Sequence, residues 1–269
     1  MIKEGRGTRI ILTGAARGIG RAMAERLARD SLQRHGLPAR MVLADIHRDE
    51  LESVAGQLRQ DGAEVHALGA DMADPATPAR LVAAAAEFGG LDAVVSNAGA
   101  AIPAPLLEAR LEDWDKVFAL HVRAAWLLGR AAHPLLKAAR GSMVVTTSIS
   151  GSQPTAPLAA YSPSKAAALM LVRQMALEWG PDGIRVNALS PGITETPGTA
   201  AVYADAQSRA QREARVPLRR IARVEDMANA LSFLVGPDAG YVSGADLLVD
   251  GALSSVLMGS LNMAGWNSG

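Results

Sequence analysis

Seven short apolar runs, rich in valine, isoleucine and leucine, recur along the 269-residue chain between longer stretches rich in alanine, leucine and arginine. Most runs are apolar on both faces, which is typical of buried parallel strands. The intervening stretches carry helical periodicity, as in 21–35 and 166–179. This alternation predicts an α/β fold with a doubly wound parallel seven-stranded sheet between two helical layers. The predicted strands are 9–14, 40–45, 64–71, 91–99, 141–148, 184–192 and 245–251.

Ligands of such a sheet bind beyond the carboxyl ends of its strands, and a glycine-rich turn lies at the first of these ends. The segment TGAARGIG follows the first strand and opens the first helix, with Ile19 between its last two glycines. Gly14, Gly18 and Gly20 permit a sharp turn and leave the amides of the helix N-terminus open to phosphates. The spacing therefore predicts a dinucleotide site, and a tight turn without a ligand is the alternative.

The end of the second strand indicates which dinucleotide binds. Asp45 lies where a carboxylate accepts hydrogen bonds from the ribose hydroxyls of the adenosine and repels a 2′-phosphate. Arg17, beside the glycine turn, could instead pair with that phosphate. We expect NAD rather than NADP, because Asp45 occupies the deciding position and Arg17 can turn toward solvent. A solvated carboxylate at the strand end is the alternative for Asp45.

Composition narrows the class of protein. Lysine and arginine together number 27, as do aspartate and glutamate, and the charges are interspersed, so we expect no nucleic-acid partner. The chain has no cysteine, which excludes disulfides and thiolate metal sites, and we expect no metal. No apolar stretch is long enough to cross a membrane, and the first residues lack the apolar core of a signal peptide. We therefore expect one large domain in the cytoplasm.

Seven segments stand in a fixed order along the chain. They are TGAARGIG at 13–20, AD at 44–45, DM at 71–72, NAG at 97–99, YSPSK at 161–165, SPGITETP at 190–197 and VDG at 249–251. Together they resemble the motifs of the short-chain dehydrogenase/reductase family over nearly the whole chain. The resemblance implies a Rossmann-like fold, a nicotinamide cofactor, and hydride transfer between that cofactor and a carbonyl or an alcohol. It also implies a homotetramer or a homodimer.

The resemblance also assigns cofactor contacts at the other strand ends. One pair would contact the adenine, the NAG segment would run past the riboses, and the stretch from 191 to 196 would hold the nicotinamide carboxamide. Each segment taken alone could simply end a strand. The residues are Asp71 and Met72 for the adenine, Asn97, Ala98 and Gly99 for the riboses, and Pro191, Gly192, Thr194 and Thr196 for the carboxamide.

Tyr161 and Lys165 are one turn apart on the same face of a predicted helix. The Lys165 ammonium would favour the phenolate and lower the tyrosine pKa, so that Tyr161 exchanges a proton with the substrate. By the resemblance, Ser148 hydrogen-bonds the substrate oxygen, and Lys165 also binds the nicotinamide ribose. An isolated pair of this kind is usually only a solvated helix face.

His121 is the clearest departure from the family, which usually has asparagine at this position. The main-chain carbonyl of that asparagine holds a water in the proton path to the lysine. An imidazole, whose ordinary pKa is near 6.5, could accept that proton directly. His121 is therefore a candidate catalytic residue, and structural packing is the alternative.

These features favour an NAD-dependent dehydrogenase of secondary alcohols or their ketones. An NADPH-dependent reductase of the 3-oxoacyl type and a non-catalytic dinucleotide-binding protein are the alternatives. The expected pocket residues are small or weakly polar, which favours a neutral, moderately apolar substrate. They are Ala100, Ile102, Ser150, Gln153, Pro154 and Tyr203.

Two further segments carry expectations of their own. The segment 193–220 is bounded by prolines and has a polar, helical middle, so it is either a substrate lid or an ordinary surface helix. The segment 254–269 is apolar for a chain end, and we expect it to pack on a neighbouring subunit or on its own chain.

Overall fold

A computed structural model describes residues 7–256 of the chain. Within this range seven strands form one parallel sheet, ordered β3-β2-β1-β4-β5-β6-β7. All seven predicted strands are confirmed, and so is the doubly wound arrangement. The strands are β1 (Arg9–Thr13), β2 (Arg40–Asp45), β3 (Glu64–Gly69), β4 (Ala93–Ser96), β5 (Ser142–Thr146), β6 (Arg185–Pro191) and β7 (Asp246–Val249).

The helices cover both faces of this sheet, and the part of the chain from 7 to 256 contains no helix long and apolar enough to span a membrane. A π-helical turn, Ala119–Arg123, joins the fourth and fifth helices into one continuous rod. The α-helices are α1 (Gly18–His35), α2 (Arg48–Gln60), α3 (Thr77–Ala86), α4 (Leu111–Phe118), α5 (Ala124–Ala139), α6 (Tyr161–Trp179), α7 (Ala200–Tyr203), α8 (Ala206–Arg215) and α9 (Val224–Val235).

The core consists of two apolar layers, one on each face of the sheet. Ile10 and Leu12 of β1 point into the layer formed by α1, α2 and α9. Ile11, between them, points into the layer formed by α3, α5 and α6. Successive side chains of a strand face opposite sides, so a strand covered on both faces must be apolar throughout. This explains the unbroken apolar runs in the sequence.

All strands except β2 end one to three residues earlier than predicted, and at β3 and β4 polar groups beyond the strand form other hydrogen bonds. Asp71 accepts a hydrogen bond at Oδ1 from the Ala73 amide, 2.8 Å away, and this turn follows β3 directly. The Asn97 amide donates to the Thr13 hydroxyl at 3.0 Å instead of to a neighbouring strand, which ends β4. Both residues therefore lie in loops at the carboxyl edge of the sheet.

The segment 193–220 contains the two short helices α7 and α8, in agreement with a helical middle. Of the apolar segment 254–269, residues 257–269 lie outside the described part of the chain. The packing of that segment stays a prediction.

Candidate active site

The glycine turn joins β1 to α1 as predicted, and two of its glycines have positive φ angles, +70° at Gly14 and +50° at Gly18. Gly20 is required for another reason, because a Cβ atom at this residue would lie 1.8 Å from the Gly14 carbonyl oxygen. No side chain caps the N-terminus of α1, and its first turn contains no acidic residue. Only glycines fit this approach of helix to strand, and the amides of the turn suit a pyrophosphate.

The turn faces the loop after β4, across the point where the order of strands reverses. Thr13 binds this loop, since its hydroxyl accepts hydrogen bonds from the amides of Asn97 at 3.0 Å and Ala98 at 3.1 Å. The Asn97 side chain donates to the Gly14 carbonyl at 3.1 Å. Crevices at such switch points are where doubly wound sheets bind nucleotides. The two segments predicted to contact a cofactor therefore lie side by side at this switch point, where a doubly wound sheet has its nucleotide crevice.

Asp45 lies at the end of β2, and its carboxylate is held in place by two backbone amides. Oδ2 accepts from Ala16 and Oδ1 from His47, each at 3.0 Å. Arg17 is exposed, as the sequence suggested, and its guanidinium forms a two-point ion pair with Glu50 in the first turn of α2. This pairing raises the pKa of Arg17 and lowers the pKa of Glu50.

The remaining predicted cofactor residues lie at the same edge of the sheet. Met72 is buried and Asp71 is exposed beside the loop that follows β3. Pro191 is the last residue of β6, and the chain beyond it passes over the glycine turn. A Cβ atom at Gly18 would lie 3.2 Å from the Cβ of Thr196. The sheet thus brings the predicted residues from the ends of five strands to one side of the molecule.

Ser148, Tyr161 and Lys165 come together near the crevice. Tyr161 is the first residue of α6, and Lys165 lies one turn later. Ser148 precedes a short 3-10 turn, and its Oγ accepts the Ser150 amide at 3.1 Å. Because Oγ only accepts in this bond, the Ser148 hydroxyl can still donate its single hydrogen to another oxygen, such as that of Tyr161.

Lys165 reaches back from α6 to the sheet. Its ammonium donates to the Thr146 carbonyl at 3.0 Å and lies 5.5 Å from the centre of the Tyr161 ring. Gly99 of the loop after β4 is close by, since a Cβ atom there would lie 3.5 Å from Lys165 Nζ. The NAG segment and the Tyr/Lys pair therefore border the same space.

Burial dominates the electrostatics of this pair. It lowers the pKa of Lys165 to about 8 and raises the pKa of Tyr161, although a hydrogen bond with Ser148 partly offsets the latter effect. The expectation that Lys165 brings the tyrosine pKa below its ordinary value is therefore contradicted, because desolvation of the phenolate has the largest effect on it. The Lys165 ammonium donates to the Thr146 carbonyl rather than to the phenol.

His121 lies in the π-helical turn, is 3% exposed, and packs edge-on against the Tyr161 ring with centroids 5.4 Å apart. Its two ring nitrogens contact Ala100 and Ser164. Burial, and secondarily the Lys165 charge, lower the pKa of His121 to about 2. The expected titration near neutrality is therefore wrong, because protonation would place a second charge in a buried space that already holds an ammonium.

Three residues that contribute to the site were not among the candidates from sequence, although Thr13 is the first residue of the TGAARGIG segment. Thr13 holds the loop after β4, Glu50 neutralises Arg17, and Ser164 connects His121 with α6. Ser164 stands inside the YSPSK segment, but an i to i+3 position in a helix is usually only a neighbour. Their roles depend on contacts between elements distant in sequence.

Comparisons with known proteins agree with this geometry. A family model described as enoyl-(acyl carrier protein) reductase matches residues 14–254. Cis-4-hydroxycyclohexanecarboxylate dehydrogenase from Sinomonas cyclohexanicum is 39% identical over 249 residues, which are 91% of this chain and 96% of that protein. The 2,5-dichloro-2,5-cyclohexadiene-1,4-diol dehydrogenase LinX from Sphingobium indicum is 34% identical over 246 residues, 91% of this chain and 95% of LinX.

A solved structure from Beutenbergia cavernae, described as a candidate NAD(P)-dependent gluconate 5-dehydrogenase with NADP bound at low occupancy, is also similar. Its TM-score is 0.84 at 35% identity, with 94% of this chain and 98% of that chain covered. The order of strands, the glycine turn and the matched length agree with one another. The chain thus belongs to the short-chain dehydrogenase/reductase family and is an NAD(P)-dependent oxidoreductase acting on CH–OH groups.

Proposed function

We propose that this protein is an NAD-dependent dehydrogenase of secondary alcohols, with Tyr161 as its acid/base. The observation that carries the proposal is the meeting of Ser148, Tyr161 and Lys165 beside the loop after β4, at the edge of the sheet where the glycine turn opens. A phenol, a hydroxyl and an ammonium therefore lie together at this edge, which supports the proposal.

In the direction of alcohol oxidation, the Tyr161 phenolate takes the proton of the substrate hydroxyl. Ser148 donates a hydrogen bond to the same oxygen and fixes its position relative to the phenol. The charge of Lys165, protonated below a pKa of about 8, opposes the effect of burial on Tyr161 and in this way favours the phenolate. The bound nicotinamide supplies the acceptor for the hydride. In reduction, Tyr161 returns the proton to the oxygen.

The preference for NAD over NADP rests on the charges around Asp45. A carboxylate fixed by two amides accepts hydrogen bonds from ribose hydroxyls and repels a phosphate. Arg17, which lies within the glycine turn, is already paired with Glu50. Binding NADP would require that ion pair to open while Asp45 still repels the phosphate.

We propose a hydroxyl borne on a ring as the substrate group. The two curated relatives compared above are named for a hydroxycyclohexane carboxylate and a cyclohexadiene diol. The expected pocket residues lack charge, and the Ser150 hydroxyl is engaged with Thr155 at 2.8 Å. A ring presents one hydroxyl to Ser148 and Tyr161 and leaves its carbons for the apolar wall.

A panel of cyclohexanols, cyclohexane-1,4-diols, hydroxycyclohexane carboxylates, sugars and linear secondary alcohols tests this function. Each compound is incubated with NAD and separately with NADP, and reduced cofactor is followed by its absorbance. We expect ring alcohols with NAD to give the highest kcat/KM. Preferred reduction of 3-oxoacyl thioesters with NADPH would favour the reductase alternative. Binding of NAD without turnover of any compound would favour a non-catalytic protein.

We further propose that the segment 193–220 is a substrate lid. No residue of α8 is buried, and the helix is tied to the chain after β6 by Arg209, whose guanidinium binds Glu195 at 3.0 and 2.9 Å. Such a helix can move without exposing core. Hydrogen exchange of 200–215 should slow when NAD and an alcohol bind together, and equal exchange in both states would leave it an ordinary surface helix.

The proposal includes a homo-oligomer. An open cleft between α4, α5 and α6 has Phe118, Val122, Trp126 and Leu171 in its lining, and Trp126 is 42% exposed. Apolar surface of this kind often contacts another subunit. Light scattering after gel filtration should give a mass at least twice the 28.0 kDa of the chain, whereas a monomer would contradict the proposal. Location in the cytoplasm stays a prediction.

A further inference from the structure

The hydrogen bonds of His121 fix its tautomer. Nε2 lies 3.2 Å from the Ala100 amide nitrogen, which can only donate, so Nε2 accepts. Nδ1 lies 2.8 Å from Ser164 Oγ, and that hydroxyl is 2.7 Å from the Tyr161 carbonyl oxygen, which can only accept. Ser164 donates its single hydrogen to the Tyr161 carbonyl, so Nδ1 must carry a hydrogen and donate it to Ser164 Oγ.

These bonds connect three parts of the site. Ala100 follows the NAG segment, Ser164 and Tyr161 belong to the first turn of α6, and His121 stands on the π-helical turn between α4 and α5. Gly99 fits tightly here, because a Cβ atom at that residue would lie 3.1 Å from His121 Nε2. The imidazole therefore spans the gap between the loop after β4 and the helix that carries the proposed acid/base.

The surroundings of the ring leave no place for a proton to enter or leave. Both nitrogens are engaged, and the ring is buried. The titratable groups that face it are Tyr161 and Lys165 from α6, and Asn97 to Ala100 of the loop contribute none. A protonated ring would give Ala100 and Nε2 two opposed hydrogens.

We propose that His121 is a permanently neutral positioning residue, which holds the loop after β4 and the first turn of α6 in register so that Tyr161 meets the substrate oxygen. It does this by accepting from Ala100 and by donating through Ser164 to the Tyr161 carbonyl. The effect of His121 on rate rests on the proposed function of Tyr161. The tautomer of His121 and its lack of titration do not depend on that function.

The first test therefore needs no turnover. The full-length protein with ¹⁵N-labelled histidine contains five imidazoles, and the signal missing from His121→Asn assigns the one of interest. We expect the chemical shifts of a neutral ring protonated at Nδ1, unchanged between about pH 5 and pH 9. A titration in this range, or a ring protonated at Nε2, would overturn the proposal even if no substrate is found.

The second test uses substitutions to separate the contributions of the two hydrogen bonds of His121. In His121→Phe both hydrogen bonds are lost, His121→Asn retains a donor near Nδ1 for Ser164, and His121→Gln retains an acceptor near Nε2 for Ala100. Misplacement of reacting groups by a fraction of an ångström lowers rate strongly, so we expect kcat of the Phe variant to fall about tenfold or more. The Asn and Gln variants should each recover part of this loss.

The pH profile of kcat should keep its wild-type shape in all three variants. His133→Phe is the matched control, because His133 is a helix histidine that also packs edge-on against an aromatic ring, Trp179, and pairs with Asp182 at 3.1 Å. We expect its kcat within twofold of wild type. A Phe variant of His121 as active as this control would leave His121 as packing only, and loss of one titration from the profile would make it a proton acceptor.

Ser164→Ala tests the link to Tyr161. If His121 and Ser164 act through one chain of hydrogen bonds, the double variant with His121→Phe should lose less kcat than the product of the two single losses. Independent, multiplying losses would contradict the connection. If a Phe variant fails to fold, the spectrum of the wild-type protein still decides the tautomer.

Discussion

Replacing Tyr161 with phenylalanine removes one hydroxyl from the site and little else. The ring is held by its edge-on contact with His121, with centroids 5.4 Å apart, and by Lys165 at 5.5 Å from its centre, and neither contact uses the hydroxyl. The hydroxyl itself hydrogen-bonds Ser148, whose Oγ keeps the Ser150 amide at 3.1 Å after the substitution. No buried polar atom of Ser148 is therefore left without a partner.

Two magnitudes follow from this geometry. Loss of one neutral hydrogen bond lowers the free energy of unfolding by about 1 kcal/mol, which in a protein of this size lowers Tm by about 2–4 °C. Loss of a general acid/base lowers kcat by about a hundredfold to ten-thousandfold, or ~3–5 kcal/mol in the barrier. The effect on rate should thus exceed the effect on stability several times over.

The assay compares Tm, NAD affinity and kcat of Tyr161→Phe with those of Tyr241→Phe, in which the same hydroxyl is removed from a fully exposed ring. We expect unchanged NAD affinity in both variants and a loss of kcat in Tyr161→Phe alone. If Tyr161→Phe keeps kcat within about threefold of wild type, with the wild-type pH dependence, the acid/base is another group.

Three further changes test the cofactor crevice and the buried lysine. Glu50→Gln should free Arg17 and raise kcat/KM for NADP by about tenfold with little change for NAD, and equal ratios in both proteins would show that the ion pair does not affect selection. Gly20→Ala should lower NAD affinity about a hundredfold, because its Cβ meets backbone at 1.8 Å, whereas Gly56→Ala, with open space around it, should bind NAD as wild type does. Burial lowers the pKa of Lys165 from 10.5 to about 8, so between these values the unfolded chain binds a proton that the folded protein does not, and stability rises with pH. At pH 8, Lys165→Met should therefore have a larger free energy of unfolding than wild type. This difference should shrink by at most ~3 kcal/mol from pH 8 to pH 10.5, because wild type gains stability over that range. A constant difference would mean that the lysine is not desolvated.

Much of the fold was predictable from the sequence because its signals are local. Each strand is apolar on both faces because helices cover both, as Ile10 and Ile11 illustrate on opposite sides of β1. The glycine turn was predictable for the same reason, since the tolerance of positive φ that Gly14 and Gly18 use is a property of glycine itself. The order of the strands then brings the loop that contains Asn97 to the turn that contains Gly14.

Local sequence is enough to specify the elements and the residue types at the carboxyl edge of the sheet, because backbone conformation and apolar periodicity act over a few neighbouring positions. The electrostatic surroundings of those residues depend instead on contacts between distant segments. Arg17 meets Glu50 across 33 positions, and His121 meets Ser164 across 43. Whether a cation is neutralised, or an imidazole titrates, depends on partners and on the exclusion of water, and both arise only when distant segments pack together.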